Sequence, residues 1–408
     1  MANDFKNTSL VTRYAVKEFL NAMIMSSKVD RQLDDSRVFS GKVGATVNVR
    51  RPVLFEANDG ATMVTSDIEE ANIPVTLDNR KHVAFAVTSE DLTLRIEDAN
   101  ERYIKPAMQE LAQQVESALG DTYKSIYNFV GTPGTLPSSF LDVANAGEVL
   151  DNLGVPMENR CAIYDPAASN SLADGLKTVF PQSIATKAIE RAAIGMYAGF
   201  MLYKSQSLKM HTVGVATGTP LVNGAAQNTT YLLSKDTNSQ TLVTDGWTLS
   251  TAGILLAGDV FTIAGVNSVN RRTRETTGQL QTFTVLSDVT SDAGTNATLT
   301  ISPPIITSGA YQTVDAAPAD NAAITVKTGA GGAVHRQNLA FHKNAITLAF
   351  AQLDTPTDGV SSSRENFNGV SIRTLRQFNI TDDELNYRFD ILFGVKVQNP
   401  GFAIRTTS

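Results

Sequence analysis

A chain of 408 residues, 42% hydrophobic and 18% charged, has room for two or three cores and is too apolar to be disordered. Its formal net charge of −7 argues against a general electrostatic grip on nucleic acid or on an anionic membrane. The single cysteine, Cys161, excludes an internal disulfide framework and a cysteine-based zinc cluster, and suits a reducing cytoplasm. No apolar run approaches bilayer-spanning length, and the start MANDFKNTSL lacks a signal-peptide core, so synthesis in the cytosol and no membrane partner are expected.

In chain order, SLVTRYAVKEFLNAMIMSSKVD comes first and places Val11, Tyr14, Ala15, Phe19, Ala22 and Met23 at helical spacing, with Ser9 as a possible cap. Such an apolar stripe ordinarily packs on its own domain; an arm that binds a partner is the alternative. The pattern turns to β over TVNVRRPVLF (46–55) and IPVTLDNRKHVAFAVT (73–88), around the acidic EANDGATMVTSDIEEAN. This predicts a long β arm with little to hold it against its own domain, whose pairing edges a neighbouring subunit could cover. Next, Ala107, Leu111, Val115, Ala118, Leu119, Thr122, Tyr123 and Ile126 form the clearest helical stripe in the sequence, about six turns at 3.6 residues per turn, with Pro106 tolerable at its start.

Residues 131–213 alternate short helices and strands. Asn145–Leu153 reads as a helix, CAIYDP as a strand ending in a turn, AASNSLADGL as a helix start, and Phe200–Tyr203 as a strand. From about Gly214 to Gly332 the composition shifts to Thr, Ser, Asn and Gly, with short alternating runs YLL at 231, VFTIAG at 260, QTFTVL at 281, ATLTIS at 297 and AITVKT at 323. Turn residues such as Asp245-Gly246 and Pro303-Pro304 separate them, predicting a small all-β domain closed as a barrel. In GDVFTIAGVNSVN, Phe261 and Ile263 share one face while Val260, Thr262 and Ala264 share the other. The predicted barrel core is Phe261, Ile263, Phe283, Val285, Leu299 and Ile301, with Thr262 pointing away from it, where truncation should do little; the alternative, given Val260 and Ala264 on that face, is that it is buried against the host domain. After KTGAGGAV, read as a linker, QNLAFHKNAITLAFAQL and the closing strands restore the earlier character, so the β unit is an insertion.

A search for chemistry finds no site. His82, His211, His335 and His342 never form a metal-ligand spacing and read as ordinary polar positions. The glycines of KTGAGGAV make no phosphate-binding fingerprint, and no GxSxG nucleophile elbow is present. Asp34-Asp35 and Asp382-Asp383-Glu384 read as solvated loop or cap positions. Arg50-Arg51, Arg271-Arg272-Thr273-Arg274 and Arg373-Thr374-Leu375-Arg376 lack the aromatic interleaving of a nucleic-acid platform; solvated loops or subunit salt bridges fit them better. No catalytic residue, metal or cofactor is assigned, and an enzyme is not expected.

The segments IYDPAASNSLADGL (163–176), AGFMLYKSQSLKMHTVG (198–214), GDVFTIAGVNSV (258–269), NLAFHKNAITLAFAQL (338–353) and LFGVKVQNPGFAIR (392–405), in this order, resemble the Hong Kong 97 fold of tailed-phage major capsid proteins. Within that fold the likeness is to Lederbergvirus-type coat proteins, the gene-product-five family. The resemblance implies an α+β fold: an N-terminal arm (1–45), an extended β loop with peripheral strands (46–88), a spine helix (89–130), a central α/β domain (131–221), an inserted β-barrel (222–334), and the central return with closing peripheral strands (335–408). It also implies that the loop Ser234–Gly246 reaches across a local twofold axis and that the loop Asn267–Gln279 bears on shell size. The first loop carries only Lys235, Asp236 and Asp245 as charges, so the salt bridges of relatives do not transfer.

The candidate subunit contacts are therefore Glu56, Asp59, Asp67, Glu69, Glu70, Lys235, Asp236, Asp245, Arg271, Arg272 and Arg274. The expected partners are copies of the chain itself in hexamers and pentamers, a scaffolding protein, a portal protein at one vertex and, weakly, packaged double-stranded DNA. Assembly in the bacterial cytoplasm and residence in the virion capsid follow from the same resemblance. An encapsulin-like nanocompartment shares the fold, but the inserted β domain argues against it. A β-rich hydrolase or tail adhesin is disfavoured by the long spine helix and the lack of catalytic motifs.

Overall fold

The computed structural model describes residues 8–33, 44–51, 53–55, 68–88, 100–176, 195–356 and 360–407. Two compact units emerge, one of residues 1–48, 74–120 and 346–396, the other of residues 49–73, 121–345 and 397–408.

The first unit is built on a sheet whose strands run Asp30–Leu33, Ile346–Ala351, Glu384–Val397, Val370–Asn379 and Ser361–Phe367, with Asn79–Thr88 also paired to Glu384–Val397. ITLAFA at 346–351 is buried at every position, as a continuous apolar run must be when both faces of its strand are covered. Asn368 and Gly369, both at positive φ, form the two-residue turn that joins Phe367 to Val370 across a hairpin. The helix Thr8–Ala22 buries Ala15, Val16 and Phe19, and Phe19 meets Phe350 edge-on at 6.5 Å. It packs within its own unit.

The long helical stretch is not one α-helix. A π turn (Asn100–Ile104) leads into an α-helix (Lys105–Gly120), followed by a 3-10 turn (Asp121–Ser125). Pro106, which has no N–H to donate, sits where first-turn donors have no helical partner, and Gly120, a poor helix former, ends the α-helical run. Ala107, Leu111, Val115 and Leu119 form the buried stripe, joined by the carboxylate of Glu116. Glu116 is 3% exposed and accepts from the backbone N–H groups of Ile24, Met25 and Ser26 at 2.8–3.1 Å and from the Ser26 hydroxyl at 2.6 Å. A strand pair at 373 and 390 buries the other charge cluster: Arg373 donates to Asp390 at 2.6 and 3.2 Å, and Arg388 to its second oxygen at 2.9 Å.

The second unit contains a seven-stranded sheet and a barrel. In the sheet the order is Phe129–Val130, Ala403–Thr407, Val334–His342, Arg160–Tyr164, Phe200–Lys204 and Met196–Tyr197, and Met210–Thr212 pairs with the start of Val334–His342. Against it lie Phe140–Asn152 and Pro166–Leu176, whose Val143, Ala146, Leu150 and Leu172 share a core with Ala162, Phe200, Ala340 and Ile404. Ser139 and Asp142 form a reciprocal capping box on the first of these helices. Burial alone would push the Asp142 carboxyl up, but the N–H groups of Ser138 and Ser139 and the Ser139 hydroxyl outweigh it and hold it below the ordinary value.

The barrel strands follow the order Gly218–Val222, Gln240–Trp247, Ala297–Ser302, Thr276–Val285, Val260–Val269 and Ile324–Val326. The two ends of this sheet meet, because Leu221 bridges Ala323 and Val222 bonds to Ala322 and Asn321, so the sheet is closed and has no free edge there. Phe261, Ile263, Phe283, Val285, Leu299 and Ile301 are all fully buried in its core with Trp247 and Leu242.

Four sequence expectations are corrected here. YLL at 231 is one helical turn (Tyr231–Ser234) and not a strand: it runs on past Thr230 into Ser234, whose hydroxyl bonds back to Thr230, and it leaves Leu232 and Leu233 exposed. Most of the segment expected as the loop 234–246 is the strand Gln240–Trp247, because Leu242 and Trp247 alternate into the core. The loop 267–279 likewise shrinks to a turn around Asn270–Glu275 between two ten-residue strands. Thr262 is 3% exposed and Val260 fully buried, so the outer face of that strand is covered at its start, while Ala264 further along is exposed. On that face Thr284, paired with Val260, donates to the carbonyl of Lys124 at 3.1 Å, which places the barrel wall on the 3-10 turn.

Candidate functional site

Of the candidate contact residues, Glu56, Asp59 and Asp67 lie outside the described residues. The base of the β arm is the pairing of Thr46–Arg50 with Asn72–Thr76. Beside it Arg50 meets Glu70 at 3.4 Å, Lys235 meets Glu69 at 3.5 Å, and Asp236 accepts from the Asn72 N–H at 2.9 Å. The barrel turn at 235–236 is thus tied to the arm base of the same chain. These pairs are partly exposed, and each contributes at most about 1 kcal/mol. Asp245 sits on a barrel strand opposite Leu221. In the turn 270–275, Asn270 accepts from the Arg272 N–H at 2.9 Å, the Arg272 side chain lies on Gly154, and Arg274 adopts φ 59°. Arg271 points the other way and donates to the Tyr127 hydroxyl at 3.2 Å.

A second cluster holds the barrel on its host. Asp259, fully buried at the entry to the strand Val260–Val269, accepts from four donors: the N–H of Leu256 at 2.7 Å, the N–H of Gly214 at 3.0 Å, His211 Nε2 at 2.8 Å and the Thr328 hydroxyl at 3.0 Å. His211 Nδ1 lies 3.2 Å from the Tyr123 hydroxyl on the 3-10 turn. In the tautomer whose Nε2–H is directed at the carboxylate, Nδ1 can accept a hydrogen bond from the Tyr123 O–H. Close approach requires two glycines: a Cβ on Gly214 would fall 2.6 Å from the Leu255 backbone, and one on Gly258, at φ +103°, 3.1 Å from Tyr123.

Arg405 completes the cluster. It is fully buried, its guanidinium lies 5.7 Å from the Tyr123 ring centre and 5.8 Å from that of Phe129, and it donates to Thr284 at 3.3 Å. Burial lowers its pKa to about 10, against the pull of Tyr123 and Asp259, so it remains a cation at neutral pH. Burial pushes the Tyr123 phenol up to about 12, although Arg405 opposes it. The aspartate–histidine–hydroxyl line therefore ends in a phenol that keeps its proton, and it acts as a latch between segments. Nothing in sequence spacing joins these residues, since 88 positions separate Tyr123 from His211 and 48 separate His211 from Asp259. The one local signal is Gly258-Asp259 at the head of a strand.

Among the described residues, no cluster of His, Cys, Asp and Glu is placed to hold a metal ion, and no helix is long and apolar enough to cross a membrane.

The family model described as P22 coat protein, gene protein 5, matches residues 1–404. A major capsid protein of Acyrthosiphon pisum secondary endosymbiont phage 1 is 24% identical over 418 residues, covering 98% of each chain. Among solved structures, the CUS-3 coat protein I-domain is 36% identical, with 98% of that chain and 28% of this one covered and a TM-score of 0.20. The capsid of Ralstonia phage GP4 is 8% identical over 93% of this chain and 87% of that one, with a TM-score of 0.48.

Proposed function

The chain belongs to the P22 coat protein (gene protein 5) family, and from that premise we propose how it builds the coat of a tailed double-stranded DNA phage. It is a major capsid protein of the Hong Kong 97 fold, a structural protein and not an enzyme, which self-assembles into the icosahedral shell of the virion. Copies of the chain form hexamers and pentamers, the β arm of one lying over its neighbour. A scaffolding protein directs their closure in the bacterial cytoplasm, and a portal protein replaces the coat at one vertex. Packaged DNA meets the wall weakly, in keeping with a net charge of −7.

What carries this reading is the way the barrel is mounted. The chain leaves the host sheet after Met210–Thr212 and returns on Val334–His342, and these strands pair directly, Thr212 opposite Val334 and His211 opposite His335. The insertion therefore interrupts no ladder, and the Asp259 cluster fixes it in one pose. A module so mounted can present Asp245, Arg272 and Arg274 to neighbours without disturbing the sheet that carries it. Glu69, Glu70, Lys235 and Asp236 would instead set the direction of the arm.

Expression of the chain with and without a scaffolding protein, followed by negative-stain microscopy and sedimentation, tests the proposal. Uniform closed shells are expected only in its presence. Uniform shells from the coat chain alone would remove the scaffolding step.

A further inference from the structure

Within the second unit a cavity of about 100 Å³ opens between the arm base, the barrel and the segment that precedes the strand Ala403–Thr407. Its lining includes Arg51, Tyr231, Arg271, Tyr311 and Gly401, and no carboxylate among the described residues. Two buried guanidiniums elsewhere in the chain meet acids, Arg160 with Asp151 at 2.7 Å and Arg373 with Asp390 at 2.6 Å, while Arg405 lies over aromatic rings. Neither Arg51 nor Arg271 makes such a pair among the described residues. Arg51 donates through Nε and Nη2 to the Gln398 carbonyl at 3.1 and 2.6 Å. Arg271 is seated against Gly401, where a Cβ would come within 2.8 Å of Nη2.

Tyr231 and Tyr311 stack with ring centres 3.4 Å apart and planes within 1°, and the Tyr311 hydroxyl accepts from the Leu54 N–H at 3.0 Å. Burial first, and then the like charge of Arg271, lower the pKa of Arg51, with the nearby tyrosines pulling the other way. Two cations that share a partly enclosed space without a counter-charge repel each other, and an entering anion relieves that repulsion while its oxygens take up guanidinium N–H donors. A cavity of this size admits several waters, and so has room for a phosphate or carboxylate group.

We propose that this cavity is an oxyanion site that takes one phosphate or carboxylate group between Arg51 and Arg271. Free inorganic phosphate and a carboxylate side chain on a second copy of the chain both offer that chemistry. The site belongs to the single chain and goes beyond the scaffolding proposal, so the two fail separately.

Calorimetric titration of the unassembled full-length chain with inorganic phosphate at constant ionic strength, with chloride as the control, tests it. Saturable binding of one phosphate per chain is expected, weakened at least about tenfold in Arg271→Met, for loss of one charge-assisted contact. Gly401→Ala, which displaces the guanidinium and leaves the charge in place, should weaken binding as well. Trp247 fluorescence for the barrel and circular dichroism for the whole chain verify that each variant is folded. Absence of saturable binding in the natural chain, or undiminished binding in folded Arg271→Met, overturns the site. Titration of assembled shells separates the sources: binding that persists assigns free phosphate, and binding lost on assembly assigns the carboxylate of a second copy.

Discussion

His211 and Asp259 meet with Nε2 2.8 Å from Oδ1, both side chains buried, one on a strand of the host sheet and the other at the mouth of the barrel. Removing the carboxylate leaves His211 and the N–H groups of Gly214 and Leu256 without their acceptor in a buried site. Asp259→Ala should therefore cost about 3 kcal/mol or more, with Asp259→Asn intermediate because one amide oxygen remains. Trp247, the only tryptophan, is buried in the barrel core, so its fluorescence follows the barrel while circular dichroism follows the whole chain. In Asp259→Ala the two urea transitions should separate. A single coincident transition at the natural midpoint would show that the cluster does not couple barrel to host.

The strand facing gives a second test. Phe261 stacks on Phe283 with ring centres 5.8 Å apart inside the barrel, and Phe261→Ala should cost about 3 to 5 kcal/mol wherever the barrel is studied. Thr262 lies on the covered outer wall. Its truncation should cost about 1 kcal/mol in the full chain, and far less in an excised barrel of residues 215–333 whose outer wall is wet. Equal losses in both settings would mean that the host does not cover that wall.

Glu116 makes an analogous prediction for the first unit. Three backbone N–H groups converge on it, and an alanine there strands all three, so Glu116→Ala should lower stability by about 3 kcal/mol. Glu116→Gln should recover part of the loss, since its amide oxygen still accepts and only its NH₂ faces donors. Urea midpoints by circular dichroism compare the two; a glutamine variant as weak as alanine would rule out accepted hydrogen bonds as the cause.

Alkaline and acid limits follow from separate groups. Burial pushes the phenols of Tyr123, Tyr164 and Tyr197 up to about 12 from an ordinary 10.0. The unfolded chain then releases these protons first, so stability present below pH 10 should be lost as the pH rises from 10 toward 12. Phenolate absorbance should show these groups titrating together with unfolding. Phenolate formation complete near pH 10 in folded protein would contradict their burial.

On the acid side, burial, with Arg160 and Lys343 nearby, holds His342 below the ordinary 6.5, and its Nδ1 accepts from the Asn344 N–H at 3.2 Å. The unfolded chain takes up the proton first, so this stabilisation is intact above pH 6.5 and is lost as the pH falls through the depressed folded value. His342→Gln should flatten that part of the stability profile, measured as urea midpoint against pH. A slope unchanged in the variant would assign it to other groups.

The fold class was legible in the residues, because α+β alternation, a late run of Thr-rich strands and the return of apolar segments are periodic signals that local sequence carries. FNGV at 367–370 shows why such signals suffice: an Asn-Gly pair adopts positive φ with little help from its surroundings. Where the residues left open whether the far face of a strand is free or covered, tertiary contact decided. Thr262 is small and polar enough for solvent, yet the 3-10 turn at 121–125 covers the barrel wall to which it belongs. The same holds for the loop 234–246, whose TLV core was too short a run to stand out until a barrel formed around Leu242. Four residues of the latch, Tyr123, His211, Asp259 and Arg405, come from separate stretches and carry no shared motif. Sequence by itself determined the elements, since propensity and periodicity act over a few residues. Only the tertiary structure decided which isolated polar side chains are desolvated together, because a buried charge is stable only where the chain, folded, supplies its partners.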